Sequence, residues 1–208
     1  NMHMLARTGR WLGGVTPTGF ASEQEKKVDD GEKIRTSFKL VGIKKELELV
    51  SFIYQEFLKK NYITSVTRYL IQHNIKTKKN AEFTNSTVKG ILRNPVYAIA
   101  DEDSKKYFLE QDCQICFEDS ECDGVHGFIS YHRTESGLHG QNKQAMSEWI
   151  IAVGKHKGLI CGKDCVQVQK MLDRRKITHS PVRYPHFSPS LLSGLVRCAE
   201  CGSYMRPH

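Results

Sequence analysis

Three groups of residues in this 208-residue chain have types and spacings that could do chemistry. The first is Cys198-Ala-Glu-Cys201-Gly, a zinc knuckle in which the glycine lets the turn close around a metal. Zinc wants four ligands, and a second Cys-x2-Cys does not follow in the sequence, so Cys198 and Cys201 read as a half-site. Cys161 and Cys165, four apart, are another pair within the chain, although a small buried thiol is the simpler role for each. The second group is Cys113-x2-Cys116 with Cys122-x3-His126. Its spacing would allow a Cys3His zinc loop, and the other reading is a set of reduced thiols in an insertion. The third group is Lys78, Lys79, Thr84, Asn85, Thr87, Lys89 and Arg93. These are cations and short hydrogen-bonding side chains, the types that meet phosphates and base edges.

The third group has to be held by helices. From residue 63 the chain reads as two short helices joined by a basic turn at 76–80. Thr64 can cap the first, and Val66, Tyr69 and Leu70 form one apolar face. Thr84 caps the second, with Phe83 and Val88 at the two positions of a hydrophobic staple. Val88, Ile91 and Leu92 make its buried stripe, and Asn94-Pro95 ends it because proline has no N–H to give. Thr84, Asn85, Thr87 and Lys89 then lie in the first turns, where a DNA-reading helix makes its base contacts. Arg93, at the far end, suits a phosphate. The spacing predicts the best helix of the chain over 44–60, with Val50, Ile53, Tyr54, Phe57 and Leu58 inward as the scaffold for the pair.

Composition points to an anionic partner. The chain has 31 Lys+Arg against 23 Asp+Glu, a net charge of +8. From 59 to 93 there are eight Lys or Arg and one acid, Glu82. Residues 101–123 invert this, with nine acids and two lysines. No apolar run is long enough to span a bilayer, which favours nucleic acid over membrane. Seven cysteines in no disulfide-like framework suit a reducing cytoplasm.

The remaining stretches frame this core. An apolar and basic run at the N-terminus changes character at Gly9, and Gly13-Gly14, Pro17 and Gly19 forbid a helix after it. This predicts an extended arm in which Arg7 and Arg10 can enter a minor groove, against a mobile tail as the plainer reading. Residues 21–40 read as a mixed-charge loop, with a strand only near 34–41. Residues 98–125 leave the helical pattern. Residues 127–153 read as a hairpin with a long polar loop at 134–146, carrying Arg133, His139 and Lys143. A third short strand is expected at 158–161 and a helix at 164–176. Residues 178–189, with three of the six prolines, read as a linker.

In their order and spacing, several of these pieces together resemble the large serine recombinases, the phage and mobile-element integrases. The pieces are Gly13-Gly14, Pro17 and Gly19; a helix beginning near Lys44; Asn74-Ile75-Lys76-Thr77; Ile91-Leu92-Arg93-Asn94-Pro95-Val96-Tyr97; and LLSGLVRCAECGSYMRP at 191–207. The resemblance implies an α+β fold, a mixed α/β DNA-binding domain with a helix-turn-helix-like helical core and a small antiparallel sheet. It implies the end of a linking helix at 1–10, a recombinase domain at 11–178 with the acidic insert near 101–125, a linker at 179–189 and the start of a zinc ribbon at 190–208. In such proteins a serine in an N-terminal catalytic domain attacks a DNA phosphate and forms a phosphoserine link. No motif of that domain occurs here, so this chain is expected to be non-catalytic. The partners implied are attachment-site double-stranded DNA, the N-terminal domain of the same protein, and further copies in the parent, with zinc in the parent's ribbon. A helix-turn-helix transcription regulator and a basic protein-interaction module are the other two readings of the same residues.

Overall fold

The computed structural model describes residues 2–28, 34–137, 140–178 and 199–200. Contacts divide the chain into two units, residues 1–170 and 171–208, and the first carries the architecture below. Cys198 and Cys201, and the 179–189 linker, lie outside the described residues.

The helical half is built on α2, Lys44–Lys60. It buries Val50, Ile53, Tyr54 and Phe57, the face that the sequence spacing predicts, with Glu46 in the first turn and Lys59 and Lys60 in the last. Helices α3, Ile63–Gln72, and α4, Asn85–Leu92, pack against it. The cap of α3 differs from expectation. The helix begins one residue before Thr64, and its N-cap is Tyr62, which makes no side-chain capping bond. The turn between α3 and α4 is more than a turn, since Lys76 and Glu82 pair as a β-bridge and their side chains meet at 3.2 Å. Asn74 and Asn80 take the left-handed conformation that asparagine tolerates there. The 3-10 turn Pro95–Tyr97 follows α4, capped by the Asn94 side chain.

The other half is a mixed sheet. Strand β3, Gln114–Ile115, runs parallel to the central β7, Ile150–Lys157, and β4, His126–Tyr131, runs antiparallel on its other side. The hairpin expected from 127–153 is β4 with β7. Its third strand is β3 and not 158–161, where Ile160 makes only a bridge to Ala98. Helix α1, Met2–Ala6, packs on the sheet through Ala6, beside Ile129, Tyr131 and Ala152. Gly9 then passes so close that a Cβ would come within 2.6 Å of the Val153 carbonyl. Helix α6, Gly162–Thr178, follows the sheet.

Three segments hold more regular structure than the sequence suggests, although the strand expected near 34–41 is present in the first of them. There β1, Phe20–Val28, and β2, Ile34–Gly42, form a two-stranded antiparallel ribbon, paired residue for residue. Ser37 and the flanking Phe20 and Leu40 are buried, while Phe38, Val41 and Glu23 face outward. Charge steadies the exposed face, with Lys39 3.2 Å from Glu23 and Lys155 of β7 3.1 Å from Glu25. Within 98–125 lies a helix, α5, Glu102–Glu110, capped by Asp101 accepting from the Ser104 N–H. The loop at 134–146 contains a second hairpin, β5, Thr134–Gly137, with β6, Gly140–Lys143.

His156 of β7 is buried between these halves of the unit. Its Nε2 lies 2.8 Å from the Val96 carbonyl, so Nε2 carries the proton and donates, and Nδ1 is buried with no partner among the described residues. The neighbouring glycines make room for the ring. A Cβ on Gly127 would sit 2.5 Å from Nε2, and one on Gly154 2.6 Å from Nδ1. Burial pushes the His156 pKa down, against the bond to Val96 that raises it, and the charge of His126 lowers it further. Both folded and unfolded chains carry a neutral ring above the ordinary value of about 6.5. As pH falls below that, the unfolded chain takes the proton first and stability is lost down through the depressed folded value. Thermal melts at about pH 7.5 and about pH 5 should therefore show a smaller acid-induced fall in Tm for His156→Gln than for the unchanged protein. Equal falls would remove His156 from the account.

Candidate nucleic-acid interface

Helix α4 is short, capped at its start by its own N-cap residue and held at its end by side chains from other elements. At the start, the Thr84 hydroxyl accepts from the Thr87 N–H at 3.2 Å and lies 2.9 Å from the Thr87 hydroxyl. At the end, the Leu92 carbonyl accepts from the Tyr54 hydroxyl at 3.2 Å and from Gln169 Nε2 at 2.6 Å. These are carbonyls that a helix terminus leaves unbonded. Phe83 and Val88 are both buried, as a staple requires. Val88, Ile91 and Leu92 face the core, so Asn85, Ser86, Lys89 and Gly90 face outward. Gly90 is unexpected in mid-helix, where it costs about 1 kcal/mol against alanine. Nothing in the protein requires it, because a Cβ there would meet no atom within 4 Å.

The arm, residues 10–19, has no strand partner along most of its length, and distant side chains bond its main chain. The Tyr131 hydroxyl donates to the Arg10 carbonyl at 2.6 Å, and the Trp11 N–H to the Phe38 carbonyl at 2.9 Å. The Tyr97 hydroxyl donates to the Thr18 carbonyl at 2.7 Å. Glu46 accepts from the Gly19 N–H at 2.7 Å. Lys78 donates to the Phe20 carbonyl and, at 3.2 Å, to the Thr16 hydroxyl, and it sits 3.7 Å from Glu46. Both ends are thus held, while residues 12–15 stand out, with Gly13 and Gly14 at positive φ and Val15 81% exposed.

Between the arm and α4 runs a cleft of about 420 Å³. Thr16 and Thr18 line one side, Thr87, Gly90 and Asn94 the other, and Ser130 and Arg133 its base. His132, at φ 56°, turns the chain off β4 so that Arg133 leaves the sheet. Arg133 donates to Asn94 Oδ1 at 2.9 Å, and its guanidinium lies 4.9 Å from the centre of the Trp149 ring. Burial lowers its pKa, and no carboxylate among the described residues pairs with it. Trp11 also lines the cleft, and its buried indole N–H has no acceptor among the described residues. The chemistry on offer is that of donors and one cation without an anion.

The predicted site residues fall into three groups. Asn85, Lys89 and Lys79 are exposed, and Thr87 is half-exposed beside the cleft. Thr84, Lys78 and Arg93 have structural bonds. Thr84 caps α4, Lys78 anchors the arm, and Arg93 donates to Gln169 Oε1 at 3.3 Å. Arg7 and Arg10 flank the turn into the arm, and neither lines the cleft. Sequence reasoning did not single out Gly90, and it read Asn94 only as part of the helix end. The signal for Gly90 was a glycine in the middle of an eight-residue helix.

The cysteines of the acidic segment do not converge. Among the described residues no group of three or more His, Cys, Asp or Glu could hold a metal. Burial pushes the Cys113 thiol up to about 11, and the Cys116 and Cys122 thiols upward as well. His126 instead closes a turn. Its backbone N–H and ring both bond Asp123, with Val125 N–H adding a third bond, and together they hold that carboxyl down to about 2.

Comparison with known proteins agrees with this architecture. None of the curated proteins matches the chain. A crystal structure of an LSR–DNA complex, LSR denoting large serine recombinase, superposes with a TM-score of 0.50 at 18% identity. The alignment covers 97% of this chain and 44% of that one, so the present chain spans less than half of that molecule's length. The likeness is one of fold. Residues 44–175 match the family model described as Recombinase. That match takes in α2 through most of α6, well over half of the chain, and on it the chain belongs to the Recombinase family.

Proposed function

We propose that this chain is the DNA-binding part of a large serine recombinase and grips attachment-site DNA during integration or excision of a mobile element. One observation carries the reading: α4 is capped at its start by Thr84, held at its end by Tyr54 and Gln169, and turns Asn85, Ser86, Lys89 and Gly90 outward beside a clamped arm. A helix that reads bases must be held rigidly with its first turns uncovered. Family membership and the fold shared with a recombinase–DNA complex support the same conclusion. On this reading Asn85 and Thr87 meet base edges, Lys79 and Lys89 meet phosphates, and Arg7 and Arg10 flank the arm as it follows the minor groove. Strand cleavage belongs to a catalytic domain of the parent, and so does assembly into dimers. Zinc at Cys198 and Cys201 is part of the proposal on their spacing alone, with the second ligand pair supplied elsewhere in the parent.

Selection of binding sequences from a random duplex pool, followed by fluorescence anisotropy on the selected and scrambled duplexes, tests the reading. A preference of about a hundredfold that weakens steeply with salt is expected. Binding that competitor DNA does not affect would instead favour a protein-interaction module.

Four variants sharpen it. Asn85→Ala with Thr87→Ala should relax sequence preference, since a good base contact discriminates by about 1–3 kcal/mol; unchanged specificity would move the reading helix elsewhere. Gly90→Ala should raise Tm, by helix propensity of up to about 1 kcal/mol, while weakening DNA binding, because the added methyl projects only toward the ligand. Tighter or equal binding would remove Gly90 from the interface. Lys79→Gln should lower the slope of log affinity against log salt by about 0.9, the effect of one lost phosphate contact. Lys78→Gln should weaken binding with that slope unchanged, because its ammonium is already engaged on the arm and Glu46. A slope change at Lys78 would make it a phosphate ligand after all.

A further inference from the structure

We propose that Arg133 is a phosphate-binding residue at the base of the cleft between the arm and α4, and that one sugar–phosphate strand of the duplex runs through this cleft. The inference deepens the DNA reading above and rests on it.

The first argument is geometric. On that reading the arm lies in the minor groove and α4 in the major groove. Adjacent grooves of a duplex are separated by a single backbone strand. A protein with one element in each must straddle that strand, and the space between the two elements is where it passes. The cleft occupies that space, with Thr16 on the arm side and Thr87 and Gly90 on the helix side.

The second argument concerns what lines it. Arg133 is a partly buried cation whose described partners are a neutral amide oxygen at 2.9 Å and an aromatic face. Removing a guanidinium from water without an anion costs free energy, and a phosphate would repay it. Guanidinium has five N–H donors in a fixed fork that matches phosphate oxygens. One donor is used on Asn94, and that bond together with the Trp149 ring fixes the plane. The same Asn94 Oδ1 accepts from the Val96 N–H at 3.3 Å, directly after α4, so the cation is registered to the end of the reading helix. Backbone contacts of this kind fix where a reading helix sits along the duplex.

The experiment is a salt titration of binding to a mixed-sequence duplex, since a phosphate contact does not depend on base sequence. Arg133→Gln is expected to bind more weakly than the unchanged protein and to lower the slope of log affinity against log salt by about 0.9. Lys105→Gln, at an ion pair with Asp119 in the acidic segment, is the control and should leave the slope unaltered. Thermal melts verify that each variant folds. A folded Arg133→Gln with an unaltered slope overturns the proposal while leaving the DNA reading standing. Failure of the unchanged protein to bind any duplex overturns both. Should Arg133→Gln not fold, the unchanged protein decides the matter by NMR. The arginine Nε–H resonance missing from an Arg133→Lys spectrum is that of Arg133. Its shift on addition of the duplex is expected, and a resonance that does not move overturns the proposal.

Discussion

The structure depends on satisfying the main chain of a segment that is neither helix nor sheet. A backbone N–H or carbonyl buried without a partner costs as much as a lost hydrogen bond, so an extended arm lying on a protein must borrow partners. Here the partners come from positions far away in sequence: Tyr131 on β4, Tyr97 after α4, Glu46 in α2 and Lys78 in the turn before α4. Each of those residues belongs to a different element, so the arm can take this path only when all of them are in place. The coupling runs in the other direction as well. Lys78 and Glu46, which pair the inter-helix turn with α2, also each bond the arm.

The helical part was legible in the sequence because its burial is periodic. Val50, Ile53, Tyr54 and Phe57 form one stripe of α2, and the staple of Phe83 and Val88 with the Thr84 cap marks the start of α4. The ribbon of β1 and β2 was not legible for the opposite reason. Two strands with much of their surface in solvent bury few side chains, so there is no strict alternation to read, and mixed charge hides the pairing that Glu23 and Lys39 in fact support. Helix α5 carried the marks of a start, Asp101 as cap and acids in its first turn. Its acidic surroundings masked the buried Tyr107 and Phe108 that make it amphipathic. The candidate site was legible as a set of residue types but not as a division of labour. Nothing local to Lys78 says that its ammonium will reach a carbonyl 58 positions earlier, and nothing local to Arg133 says that Asn94 will hold it. Spacing reports which face a residue occupies, and long-range bonds decide which residues remain available to a ligand.

Two kinds of residue on α4 show stability and function pulling apart. Thr84 serves the fold, since a helix of eight residues gains about 1 kcal/mol from its cap and can hardly form without one. Gly90 works against the fold, because the backbone there would be steadier with any side chain and there is room for one. A position that sacrifices helix stability on an uncrowded surface makes sense where another molecule's backbone comes close. The same contrast holds for the two arginines near the end of the helix. Arg93 braces the helix end through Gln169, while Arg133 follows β4 and has no carboxylate partner among the described residues.

The two halves of the unit meet at His156, and that contact explains how the sheet can position the arm. Gly127 and Gly154 leave only enough space for its ring, and the ring bonds the Val96 carbonyl. Phe20, at the end of the arm, packs edge-on to the same ring at 5.0 Å and stacks with Tyr97 at 6.0 Å. Val96 and Tyr97 are consecutive in the 3-10 turn that closes α4. A single buried imidazole therefore touches the sheet, the turn that closes α4 and the root of the arm. A side chain larger than hydrogen at either glycine would push this ring toward Val96 or Phe20, and the displacement would reach the Tyr97 hydroxyl that holds Thr18. The geometry of the cleft is thus set from inside the core, by the packing of one ring, before any of the side chains that line it come into play.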